Sequence, residues 1–174
     1  MPGLKPIDPE SATGATKELL DLIQQRSGRI PNMVRLMANS PAALGAYLNF
    51  AGAFRNAMLP AKLRDLIAVT VAETARCHYT LAAVSALARS GGRSASELAA
   101  ARAAESEDPR IGVALRFAAK IVMQRGQLPA SDVSALRDAG FSDGEVAEII
   151  ATVALNIYRS YFNLIARPEI DFPV

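Results

Sequence analysis

The chain is divided into short segments whose apolar residues recur at helical spacing, and this division constrains the fold more than any other feature. Capping residues or prolines begin several segments, as at Ser40-Pro41 and Ser142, and Gly91-Gly92 ends another. Proline favours the first turn of a helix, while glycine favours the position just after the last turn. The sequence contains no hairpin signal and no low-complexity tract. It therefore predicts an all-α protein of about eight to nine helices.

The length of the chain favours a single domain. It has 174 residues, of which 51% are hydrophobic, enough to bury one core but short for two. Three prolines and two glycines fall among residues 1–14 and oppose regular structure there. We expect an extended N-terminal arm over residues 1–14 and one helical domain over residues 15–174.

Charge and hydropathy exclude several classes of partner. The 19 basic and 17 acidic residues are interspersed, without the basic block that would neutralise a phosphate backbone. No apolar stretch of signal-peptide length opens the sequence, and charged residues interrupt the later apolar runs. The expectation is a cytoplasmic protein that binds neither nucleic acid nor membrane.

Cysteine and histidine are each present once, as Cys77 and His78. One thiol forms no disulfide within its own chain, and one histidine beside it does not complete a closed zinc site. The sequence predicts no metal centre, and we expect no cofactor.

The stretch from Leu63 to Gly92, with Asp65 ahead of Cys77-His78-Tyr79-Thr80, resembles the signature of the carboxymuconolactone decarboxylase and alkylhydroperoxidase D-like family. That signature is C-x-x-C-x-x-x-H, with an acidic residue twelve positions before its first cysteine. Further similarity lies at Ile30-Pro31-Asn32, at Gly140-Phe141-Ser142, and from Tyr161-Phe162-Asn163 to the tail. The resemblance implies an alkylhydroperoxidase-like helical domain that assembles as a homo-oligomer.

Only one position of the motif is unchanged. The first cysteine matches Cys77, the second matches Thr80, the histidine matches Val84, and the upstream glutamate matches Asp65. The resemblance implies that in active relatives the second cysteine attacks the peroxide, the first resolves the sulfenic acid, and the glutamate and histidine relay protons. Thr80 is not oxidised in such a cycle, and Val84 moves no proton. The two-cysteine cycle is therefore closed to this chain.

Cys77 and Asp65 are the candidate catalytic residues. A helix beginning at Cys77 would favour a reactive thiolate, whereas the alternative is a small buried apolar residue. On one straight helix, twelve residues would separate Asp65 from Cys77 by about 18 Å. For Asp65 to reach Cys77, the helix must break near Ala75-Arg76, where the family's usual Asn-Gly is missing. The alternative interpretation is that Asp65 is a solvated or ion-paired surface residue.

Six further residues are candidates for the wall of a pocket: His78, Tyr79, Thr80, Val84, Tyr161 and Asn163. Adjacent helical side chains diverge by about 100°, which favours a pocket-wall, surface or interface position for His78 over a general base for Cys77. Tyr and Asn at such positions are equally often core residues with one satisfied hydrogen bond.

Two functions of different classes follow. The first is an enzyme with altered chemistry, such as a weak one-cysteine peroxidase or antioxidant protein that uses an external thiol as reductant. The second is a relative without redox chemistry, either a decarboxylase-like enzyme for a small acidic or lactone substrate or a ligand-binding or assembly protein. In both cases we expect a homo-oligomer.

Overall fold

The computed structural model describes residues 3–173, and this part of the chain is helical without any strand. The prediction of an all-α protein is therefore confirmed. Met1 and Pro2 of the predicted arm and Val174 of the predicted domain lie outside the described residues. The helices are α1 (Gly14–Ser27), α2 (Asn32–Met37), α3 (Pro41–Ala53), α4 (Ala61–Thr74), α5 (His78–Ser90), α6 (Ala95–Arg102), α7 (Pro109–Met123), α8 (Ala130–Asp138) and α9 (Asp143–Ala166), with a short 3-10 helix, Phe54–Asn56, after α3.

Capping residues fix where several helices begin. Ser94 and Ser142 each close a capping box, with Glu97 and Glu145 as the reciprocal partners. Such boxes satisfy amide groups that the first turn of a helix leaves without partners. The Ser40 hydroxyl likewise caps α3. The capping signals in the sequence are therefore confirmed.

The reversal between α4 and α5 places Cys77 at the start of a helix. Arg76 adopts a left-handed backbone conformation with φ of 53°. The amide of Cys77 then bonds the Ala72 carbonyl at 3.1 Å, and the amide of Arg76 bonds the Glu73 carbonyl at 2.9 Å. This is the Schellman arrangement. Cys77 becomes the N-cap residue of α5.

Helix α4 lies at the centre of the molecule. It packs against α5, α6, α7 and α9, and Ile67, Val69 and Val71 are completely buried. A second apolar cluster joins α1, α2 and α3 to Tyr79 and Leu155. By length and composition alone α9 could cross a membrane, but here it packs against α4, α5 and α7 as a core helix.

Both ends of the described chain lie near α2. On the N-terminal side, the amide of Ile7 bonds the Arg35 carbonyl at 3.0 Å, and the Asn39 side chain bonds the Lys5 carbonyl at 2.8 Å. On the C-terminal side, Asp171 accepts a bond from the Asn32 amide at 2.9 Å. The segment after α9, residues 167–173, is called the C-terminal tail below.

Candidate functional site

An apolar cavity of about 210 Å³ opens beside the first two turns of α5. Thr80 and Val84, which replace the second cysteine and the histidine of the family motif, lie in its wall. Cys77 does not line the cavity. The other lining residues are Ser27, Arg29, Pro31, Met33, Val34, Tyr47, Tyr79, Ala83, Leu87, Arg159, Asn163 and Phe172.

Thr80 lies between the sulfur of Cys77 and the cavity side of α9. Its hydroxyl is 3.2 Å from the Cys77 sulfur and accepts a hydrogen bond from the Asn163 side chain at 3.0 Å. Cys77 is only 2% exposed. The thiol is therefore buried in the core, with the Thr80 hydroxyl against its sulfur.

Asn163 has an unused hydrogen-bonding atom. Its Nδ2 faces both Thr80 and the sulfur of Met33, at 3.0 and 3.3 Å, whereas its Oδ1 has no partner among the described residues. Exchanging the two amide atoms leaves the other one without a partner, so the deficit does not depend on the amide orientation. A buried polar atom without a hydrogen bond destabilises the fold.

Tyr79 ties α5 to the C-terminal tail. Its hydroxyl accepts a bond from the Met33 amide at 3.0 Å and donates to Asp171 at 2.7 Å. Burial raises the pKa of Tyr79 above its ordinary value of 10.0, and the neighbouring Asp171 carboxylate also raises it. Tyr79 is therefore a neutral donor that positions Asp171, and it is not a proton-transfer group at neutral pH.

The tail itself forms part of the cavity wall through Phe172. The ring of Phe172 meets that of Tyr79 edge to face at 5.7 Å, and the Arg29 guanidinium lies 4.4 Å from its centre. Arg29 also pairs with Asp171 at 2.8 Å. These contacts fix the tail over one side of the cavity.

Asp65 lies outside this cavity. It faces a separate cleft of about 240 Å³ between α3, α4 and α9, and its closest cation is Arg93 at 3.5 Å, just beyond the end of α5. Cys77 is at the opposite end of α5, about 20 Å away along a helix of this length. Burial raises the pKa of Asp65, although Arg93 and Arg64 oppose that shift. The structure does not bring Asp65 and Cys77 together.

The remaining sequence candidates divide in the same way. The cavity wall includes four of them: Tyr79, Thr80, Val84 and Asn163. The other two do not line the cavity. His78 is exposed at the first position of α5, and Tyr161 is 54% exposed on α9.

Sequence reasoning missed Tyr47 and Arg159, which close the cavity on the side facing Asp65. Arg159 donates from Nε to the Tyr47 hydroxyl at 3.0 Å and from Nη1 to Asn156 at 3.2 Å. A signal was present in α9, because Thr152, Asn156, Ser160 and Asn163 are polar residues at helical spacing and all are buried. Of these four residues, only Asn163 lines the cavity.

This arrangement, a helix pair with a motif cysteine at the reversal and a cavity against the last long helix, defines an alkylhydroperoxidase-like helical protein. Residues 41–122 match the model of the Carboxymuconolactone decarboxylase family. This match and the fold confirm the resemblance found in the motif. No curated protein sequence matches the chain.

Solved structures share the fold over nearly the whole chain. An uncharacterized peroxidase-related protein from Ralstonia eutropha JMP134 with the alkylhydroperoxidase AhpD core has a TM-score of 0.84 at 21% identity, covering 97% of this chain and 92% of that one. Another, from Silicibacter sp. TM1040, has a TM-score of 0.78 at 22% identity, covering 97% and 88%. The debrominase Bmp8, as a variant in complex with 2,3,4-tribromopyrrole, has a TM-score of 0.82 at 19% identity, covering 97% and 91%. At these identities the similarity establishes the fold alone.

Proposed function

We propose that this protein binds a small apolar organic molecule in the cavity between α5 and α9, without thiol redox chemistry. The observation that carries the proposal is that the cavity lies over Thr80 and Val84 while Cys77 is buried beside Thr80. Thr80, which matches the attacking cysteine of the family motif, therefore lines the cavity, and no thiol lines it among the described residues. This corresponds to the non-redox alternative inferred from the sequence.

The size and lining of the cavity support one substituted ring as the ligand. An apolar cavity of about 150 Å³ accommodates benzene, and the cavity here is about 210 Å³. The structural neighbour Bmp8 holds a small halogenated ring, 2,3,4-tribromopyrrole, which supports the same ligand size.

Titration with benzyl alcohol, a neutral ring with one hydroxyl, tests the proposal. We expect the backbone amide NMR signals of Thr80 and Val84 to shift as benzyl alcohol is added and to reach a plateau at saturation. Ala83→Phe fills the cavity and should abolish those shifts, whereas Ala86→Phe, on α5 but outside the cavity, should preserve them. Binding that is unchanged in the Ala83→Phe variant would place the ligand elsewhere and reject the proposal.

A second candidate, the weak one-cysteine peroxidase, is favoured by the position of Cys77 at the N-cap of α5. The amide N–H groups at the N-terminus of a helix point toward this position. The thiol would attack the hydroperoxide O–O bond, giving a sulfenic acid and an alcohol. An external thiol would then form a mixed disulfide and release water, and a second thiol would restore Cys77 as its own disulfide forms.

Alkylation and trapping separate the two candidates. Because Cys77 is 2% exposed, iodoacetamide should modify the folded protein far more slowly than free cysteine, and dimedone should trap no sulfenic acid after peroxide treatment. A Cys77→Ala, Ser90→Cys variant supplies an exposed thiol at the end of the same helix as the control. Fast alkylation together with a dimedone adduct on Cys77 would favour the peroxidase. For either function we propose a cytoplasmic location and self-association.

A further inference from the structure

We propose that the cleft beside Asp65 is a second binding site, which takes a phosphate group. Three arginines, Arg55, Arg64 and Arg159, lie in the wall of this cleft, whose volume is about 240 Å³. It is called the arginine cleft below. The phosphate group belongs either to inorganic phosphate or to a small phosphate monoester. The proposal does not depend on which molecule the cavity between α5 and α9 binds.

The three arginines come from three elements of the fold and carry charges that lack a counterion. Arg55 lies in the 3-10 helix, Arg64 on α4 and Arg159 on α9. No carboxylate of the described residues lies within ion-pair distance of any of them. Asp65 is the one carboxylate in the wall, and it is paired with Arg93 at 3.5 Å. Even with its whole charge counted, two positive charges remain, and they attract an anion.

The guanidinium of Arg159 is held in place by neutral groups. Its Nε donates to the Tyr47 hydroxyl at 3.0 Å, and its Nη1 donates to the side-chain oxygen of Asn156 at 3.2 Å. Asn156 is only 2% exposed, and its own amide donates to the Thr152 carbonyl at 2.8 Å. Asn156 thus orients a cation of the cleft wall without neutralising it, which lowers the entropic cost of binding an anion there.

All three arginines keep hydrogen-bond donors for a ligand. Arg159 uses Nε and Nη1 in the bonds above, and Arg64 uses Nη1 in a bond to the Leu59 carbonyl. The other nitrogens of these two half-buried guanidinium groups make no bond with the described residues. Arg55 is exposed, and its side chain bonds to none of the described residues. The cleft therefore offers donors from three directions.

The number and arrangement of these charges favour a phosphate group over a carboxylate. A phosphate monoester carries a charge of about −1.5 to −2 at neutral pH and has three acceptor oxygens that point in different directions. A carboxylate carries one charge on two oxygens in one plane. Guanidinium groups form strong charge-assisted bonds to phosphate oxygens. Donors on three elements, with two charges unmatched, therefore suit the phosphate group better.

Calorimetric titration with inorganic phosphate, at neutral pH and constant ionic strength, tests the proposal. Wild-type protein should bind phosphate saturably and more tightly than acetate. The backbone amide NMR signals of Arg55 and Asn156 should shift, whereas those of Val84, in the wall of the cavity, should not. Phenyl phosphate carries the same group on a ring. Tighter binding of phenyl phosphate would identify a monoester as the ligand, and weaker binding would identify inorganic phosphate; either result supports the site.

Substitutions in the cleft wall should change the phosphate affinity in opposite directions. Arg55→Gln removes an exposed charge without breaking a bond and should weaken binding by about twofold to fivefold. Arg64→Gln should weaken it roughly tenfold, the range expected of a bond to a charged group. Asp65→Asn removes the one negative charge of the wall and should tighten binding about twofold or more. Arg116→Gln, an exposed arginine on α7 outside the cleft, should bind phosphate like the wild type.

Thermal unfolding of each variant without ligand establishes that it is folded. A phosphate affinity that is unchanged in folded Arg55→Gln and Arg64→Gln would place the anion elsewhere and overturn the proposal. Weaker binding by folded Asp65→Asn would contradict the assigned charge of the cleft. Wild-type protein that binds phosphate no more tightly than acetate, or that shows no saturable binding at millimolar concentration, would also overturn it.

Discussion

At the scale of single residues, Thr80 determines what the site can do. Its hydroxyl bridges the sulfur of Cys77 and the amide of Asn163, so the position of the family's attacking thiol now serves as a connection between α5 and α9. Thr80 and Cys77 are both almost completely buried. The sulfur of Cys77 is therefore buried, and the group beside it is a hydroxyl and not a second thiol.

Arg76 has a backbone conformation that glycine adopts with less strain. Its φ of 53° is left-handed, and its side chain makes no hydrogen bond or ion pair with the described residues. Because the left-handed region is unfavourable for residues with a Cβ, Arg76→Gly should raise the free energy of unfolding by about 0.5–1 kcal/mol in urea denaturation. Arg89→Gly, at an exposed helical position of α5, should lower it by about 1 kcal/mol. A loss of stability in Arg76→Gly would contradict the assigned reversal.

At the scale of structural elements, one carboxylate, that of Asp171, holds the C-terminal tail beside the cavity. Asp171 accepts bonds from Tyr79, Arg29 and the Asn32 amide. Asp171→Asn replaces one acceptor oxygen by a donor and removes the charge facing Arg29, so it should cost about 1–3 kcal/mol of stability. Amide hydrogen exchange in the tail should accelerate as well.

Glu169→Gln is the matched control, because the exposed side chain of Glu169 makes no bond with the described residues. Tail exchange that is equally slow in Asp171→Asn and in the wild type would show that these bonds do not hold the tail.

The capping box of α6 predicts a dependence of stability on pH. The side-chain bond with Lys62 and the Ser94 amide hold the pKa of Glu97 at about 2, below the ordinary 4.5. A carboxyl whose folded pKa is lowered stabilises the protein above its unfolded pKa, and that contribution is lost as the pH falls from 4.5 toward 2. Glu97→Gln should therefore reduce the loss of stability between about pH 5 and about pH 3, measured by urea unfolding. Glu107→Gln, which removes an exposed carboxylate that is bonded to none of the described residues, should leave the loss close to that of the wild type. An equal loss of unfolding free energy with falling pH in the wild type and in both variants would contradict the prediction.

The helices and their caps were predictable because their signals are local. The capping signals at Ser40 and Ser142 and the stop at Gly91 depend on neighbours in sequence, and the structure confirms them. The convergence of Tyr79, Thr80, Val84 and Asn163 followed only from the family resemblance. The bonds that Asp171 and Arg159 make across the fold were not predictable, because they join residues more than 90 positions apart.

At the scale of the whole molecule, apolar side chains remain exposed along the last turns of α9. Tyr161 is 54% exposed and Ile165 is 75% exposed, and a second copy of this chain would remove such surface from water. We therefore propose that the protein is a homo-oligomer. Light scattering at micromolar concentration should give a multiple of the 18.5 kDa chain mass, and a monomer mass would contradict the proposal.

The central claim is that the cavity between α5 and α9, with Thr80 and the tail residue Phe172 in its wall, binds a ligand. Its occupancy is measured most directly by a crystal soaked in bromobenzene, whose bromine gives an anomalous signal at a defined position. We predict one strong bromine peak in the cavity, in contact with Val84 and Thr80. A soaked crystal with bromine only on the outer surface, or with none in the cavity at saturating probe, would contradict the account.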